Sequence, residues 1–122
     1  MNNLEQKIKD FSEAIRETKE YQAYKKAAEI YNNDKHAQEL LNEFNVARQN
    51  VAIFRQGNFP GLEEENKKLD DLFKKVKNNN AINDWTKTQA ELQLLIGGMA
   101  TELSNSIEFP FTLPQSGGGC CG

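Results

Sequence analysis

Residues 34–56 read DKHAQELLNEFNVARQNVAIFRQ, and the spacing of the apolar positions in this stretch decides the fold. Ala37, Leu40, Phe44, Ala47, Val51 and Phe54 follow one another at alternating steps of three and four, the rhythm of a helix that buries a narrow seam. A strand alternates every second residue and cannot use that rhythm. Asn33 and Asp34 offer side-chain oxygens to the orphan amides of the first turn, and Gly57, Pro60 and Gly61 close the far end. The stretch is therefore a helix about 33 Å long at 1.5 Å per residue.

Working outward, Leu4, Ile8, Phe11 and Ile15 predict an amphipathic helix over about 3–18. A second stripe, Tyr21, Tyr24, Ala28 and Tyr31, follows a polar patch at 18–20, so that 3–31 is read as one bent helix or as two. On the other side, Leu62, Leu69, Leu72, Phe73 and Val76 predict a further helix. The short turn before it folds it back antiparallel on the central one. Its outer face carries the acid-before-base pairs Glu63/Lys67, Glu64/Lys68, Asp70/Lys74 and Asp71/Lys75 at four-residue spacing, the mark of a solvated surface. Asn78, Asn79 and Asn80 break and recap the chain. Ile82, Trp85, Leu92, Ile96, Met99 and Leu103, widened by Leu95 and Ile107, predict a last helix over about 81–107. Inside it Gly97 and Gly98 each cost about 1 kcal/mol against alanine, which points to a close helix approach or a kink.

The expected fold is all-α: a long antiparallel helical hairpin with additional N-terminal helices, assembling into an oligomeric bundle. Residues 1–108 form the helical oligomerisation domain, and 109–122 a Pro/Gly tail ending in QSGGGCCG with both cysteines. With 122 residues of which 38% are apolar, one chain leaves some of its seams uncovered, so a homo-oligomer, dimer or tetramer, is expected. The candidate oligomer or partner interface comprises Leu40, Phe44, Val51, Phe54, Leu92, Ile96 and Met99, with Tyr21 and Tyr24, although tyrosine stripes at this spacing more often line a core.

The 18 acidic and 15 basic residues are interleaved, a pattern that gives no strong field for phosphate or anionic lipid. Direct nucleic-acid binding is not expected: Lys67, Lys68, Lys74, Lys75 and Lys77 share their helix with acids. No segment has the ~20 apolar residues of a spanning helix or the apolar run of a signal peptide, which leads to a cytoplasmic assignment. Nothing reads as catalytic. Glu63, Glu64, Glu65, Asp70 and Asp71 have lysines nearby and no apolar cradle, and His36 stands beside Asp34 and Lys35 at the surface.

The runs EYQAYKKAAEIYNNDKHAQELLNEF (20–44) and ENKKLDDLFKKVKNNNAINDWTKTQAELQLLIGGMATELSNSI (65–107) resemble the YlbF/YmcA family of small helical bacterial regulators. The likeness covers about residues 4–107 and is distributed over Tyr21, Tyr24, Asp34, Leu40-Leu41-x-x-Phe44, the asparagines before a helix and Leu94-Leu95. It implies a non-catalytic adaptor that assembles with sister regulators, supports messenger processing by ribonuclease Y, and influences competence, sporulation and biofilm formation.

Some members of the YlbF branch end in glycine-cysteine tails and join complexes with iron-sulfur clusters. A cluster usually takes four thiolates and this chain has Cys120 and Cys121, so they are candidate ligands of a shared site only, and no cofactor is expected in the isolated protein. Two solvated thiols are the plainer reading. The alternatives to an adaptor are a metal or iron-sulfur ligand-donor protein acting through this tail, and a purely structural helical oligomer.

Overall fold

The computed structural model describes residues 2–110, which form five α-helices: α1 (Asn3–Arg16), α2 (Lys19–Asn32), α3 (Lys35–Gly57), α4 (Leu62–Lys77) and α5 (Asn80–Ile107). Four starts are capped by a side chain that accepts from a backbone amide three residues on. Asn2 takes the Glu5 N–H, Thr18 that of Tyr21, Asp34 that of Ala37 and Asn79 that of Ile82. Residues 3–31 are thus two helices, parted at Glu17–Thr18, where Thr18 leaves helical geometry with ψ 152°. The α3–α4 turn closes on Asn58 and Gly61, both left-handed with φ of 56° and 97°. The Phe59 N–H returns to the Phe54 carbonyl at 3.0 Å, and the Phe59 ring lies edge-on to Phe54 at 5.9 Å. A Cβ at Gly57 would run into that ring, so glycine is the residue that lets the turn fold down.

α3 packs on α4, and α2 on α5, giving a long two-armed hairpin of α2–α3 against α4–α5. Both arms break at the same height, at Asn33–Asp34 and at Asn78–Asn79, and the core sits at this double joint. Tyr31, Ala37, Leu40 and Ile82 are buried there, surrounded by Leu41, Leu72, Val76, Ala81 and Trp85. Tyr31 and Trp85 stack with ring centroids 4.2 Å apart and planes 10° apart, clamping the end of α2 to the start of α5. The breaks bend both arms together, and each bend is stabilised by its cap. Asp34→Ala and Asn79→Ala should each cost about 1 kcal/mol of stability, read as a lower midpoint with unchanged slope in urea titration.

Two of the residues expected at an oligomer interface, Leu40 and Val51, are instead buried within their own protomer. Phe44, whose ring meets Phe73 at 6.2 Å, and Phe54, packed on Phe59, are half-buried. The physical reason is that α4 folds back along the α3 seam and covers it. Gly97 and Gly98 show no close approach within the protomer: a Cβ on either would meet nothing within 4 Å, and α5 stays helical through both. On α4 the ion pair that closes is Glu65–Lys68 at 3.7 Å, three residues apart, while the four-residue pairs stay open. Exposed lysines and carboxylates gain little over water by holding one geometry.

Candidate interaction surfaces

α1 is the least enclosed element. Its apolar stripe points away from the protomer, with Leu4 69%, Ile8 57% and Phe11 50% exposed. It neighbours only α2, and no Cα pair joins it to α5 within 8 Å. Isolated surface leucines are ordinary, but three large apolar residues on one face of one helix form a continuous patch.

The matching gap lies at the other end of α5. The Tyr31–Trp85 stack sets the register of α2 against α5. Lys19 lies twelve residues before Tyr31, and twelve residues after Trp85 comes Gly97, so the start of α2 lies at about the level of Gly97. The remaining ten residues, 98–107, extend beyond it by about 15 Å. Along that overhang Met99, Leu103 and Ile107 continue the face of Trp85, Leu92 and Ile96 at steps of three and four. Met99 is half-buried, while Leu103 is 49% and Ile107 56% exposed.

A third surface runs down the back of α3. Opposite the seam of Leu40, Ala47 and Val51 lie Asn42, Asn45, Val46, Gln49, Ala52, Ile53 and Gln56, all exposed and all uncharged. The outer face of α4, by contrast, is charged at Glu63, Glu64, Lys67, Lys68, Asp70, Asp71, Lys74 and Lys75. Loss of charge is a feature of interface centres, and helical periodicity alone did not reveal this face because its four amides interrupt the apolar signal of Val46, Ala52 and Ile53.

Of the other residues named from the sequence, Tyr21, Tyr24, Leu92 and Ile96 are half-buried along the paired α2 and α5. His36 is exposed and lines an open groove of about 590 Å³ with Glu39, Leu40, Glu43, Lys75, Asn78 and Asn79. Burial pushes the Tyr31 phenol above its ordinary value by desolvating its charged form. Cys120 and Cys121 lie outside the described residues. Among the described residues no three of His, Cys, Asp and Glu gather as a metal site. With two of the four thiolates a cluster usually takes, the single chain does not fit an iron-sulfur group by itself. No helix among the described residues is long and apolar enough to cross a membrane.

Comparison with solved structures finds the same fold in Bacillus subtilis RicA, crystallised in complex with RicF. The similarity has a TM-score of 0.73 at 15% identity, over 86% of this chain and 93% of that one. Curated protein sequences yield no significant match. The profile described as control of competence regulator ComK, YlbF/YmcA, matches residues 4–108, the whole helical unit from the free stripe of α1 to the cap of α5. The chain belongs to the YlbF/YmcA family of regulators.

Proposed function

We propose that this protein is a non-catalytic cytoplasmic adaptor that assembles, through helical faces, with copies of itself and with sister regulators, in support of ribonuclease Y-dependent RNA processing and of competence, sporulation or biofilm control. The observation that carries this reading is the stripe Leu4, Ile8 and Phe11, an apolar helix face that the protomer leaves open. A monomer that kept it in water would carry an aggregation liability with no compensating gain. The crystallisation of a protein of the same fold, RicA, with a second protein, RicF, supports assembly as the family's mode of action. Beyond Lys35 at its start, the back of α3 from Asn42 to Gln56 is uncharged and offers sister regulators a face whose amides both donate and accept hydrogen bonds.

The test is an anaerobic pull-down from the native host, with mass spectrometry of what is retained. Co-purification of family members and ribonuclease Y is the expected result. Asn45→Lys with Gln49→Glu on the back of α3 should reduce capture of sister proteins tenfold or more without changing helix content. Deleting residues 115–122 should leave capture intact if the helices do the binding. Loss of capture on that deletion would favour the ligand-donor reading, in which Cys120 and Cys121 complete a site with a partner.

A further inference from the structure

We propose that α1 of each protomer seats on the overhanging end of α5 of a second copy, so that two chains exchange their N-terminal helices around a two-fold axis. This rests on the adaptor reading only in taking these open faces as interfaces.

The two faces match in length and character. The open stretch from Leu4 to Phe11 spans seven residues, about 10 Å of helix, and Met99 to Ile107 eight residues, about 12 Å. Both are single apolar stripes read at steps of three and four, suited to knobs-into-holes packing. One edge of the α5 stripe is built from small residues, Gly97, Ala100 and Ser104, which let another helix come near. The open space at Gly97, unexplained within the protomer, is then where the partner's helix lies.

The chain's own α1 is held away from this seat. The link from α1 to α2 is two residues long and, besides its backbone hydrogen bonds, is tied by three that involve side chains. The Thr18 hydroxyl donates to the Ile15 carbonyl at 2.6 Å and accepts from the Tyr21 N–H at 3.1 Å, and the Gln22 amide donates to the Arg16 carbonyl at 2.6 Å. Together they fix the exit angle of α1, with no Cα of α1 within 8 Å of α5. A helix held away from the open face of its own chain satisfies both faces at once by reciprocal exchange, and the two-fold closes the assembly at two copies. Each copy gives and receives one helix, which doubles the area a single docking would bury.

The experiment uses the full chain with Cys120→Ser and Cys121→Ser, into which Ile8→Cys and Leu103→Cys, the midpoints of the two stripes, are placed together. Mild oxidation should give a covalent dimer on non-reducing gels, with a yield unchanged over tenfold dilution above the assembly midpoint. Mixing the two single-cysteine chains should give only the heterologous bridge. An internally bridged monomer would show that α1 folds back on its own α5 and would overturn the proposal. A bridge between two Ile8→Cys chains would place α1 against α1 and overturn it as well, as would a dimer by light scattering that forms no bridge at all. Circular dichroism of the variants guards against misfolding. Capture of sister proteins through α3 is read separately, so the adaptor reading survives or fails on its own.

Discussion

Ile82→Ala should lower the free energy of unfolding by about 2–5 kcal/mol, a large share of the 5–15 kcal/mol typical of a domain. Ile82 is 2% exposed, the most fully enclosed large side chain of the core, and it sits in the first turn of α5 beside Tyr31, Ala37 and Leu40. The joint has rigid walls. Asp34 and Asn79 cap the helices on either side, and the Tyr31–Trp85 stack leaves the rings little room to collapse into the space of the lost methyl groups. Urea unfolding followed by circular dichroism, at equal protomer concentration for both proteins, measures the loss. Val51→Asp belongs to the same class: the residue is 6% exposed within the protomer, so the charge should unfold the chain itself rather than merely separate its copies.

Ile8→Glu combined with Phe11→Glu should do the reverse, dissociating the assembly by a hundredfold or more while moving protomer stability by about 0.5 kcal/mol at most. The two side chains are 57% and 50% exposed in the protomer, so their burial belongs to whatever covers α1. At about 1.5–3 kcal/mol for each large apolar side chain, and 1.4 kcal/mol per tenfold in affinity, losing both accounts for two decades or more before the cost of burying unpaired carboxylates is counted. Sedimentation velocity over a concentration series should show the wild-type species giving way to protomer in the variant. An equal fall in the unfolding midpoint of the protomer itself would mean that α1 packs on its own chain.

The two substitutions differ little in sequence terms, since Ile8 and Ile82 each lie on an apolar stripe of a charged helix. They differ in what lies opposite. Helical content, the breaks at Asn33–Asp34 and Asn78–Asn79, the Gly57–Gly61 reversal and the resemblance to the YlbF/YmcA family were all legible, because capping, periodicity and turn chemistry are local and act within about one turn of helix. The solvated face of α4 was legible for the same reason.

Which stripe meets which was not. Leu40 and Val51 read as interface positions and proved to be covered by the α4 hairpin and the joint, whereas the stripe of α1, read as an ordinary amphipathic start, proved to be open. The stacking of Tyr31 on Trp85 brings together residues 54 positions apart, and no local rule pairs them. The sequence by itself determined the helical segments, most of their ends and their apolar faces. Tertiary structure alone decided that α2 stops short of the end of α5 and that Thr18 turns α1 aside, since the distribution of buried area among faces depends on the relative lengths and exit angles of helices packed far apart along the chain.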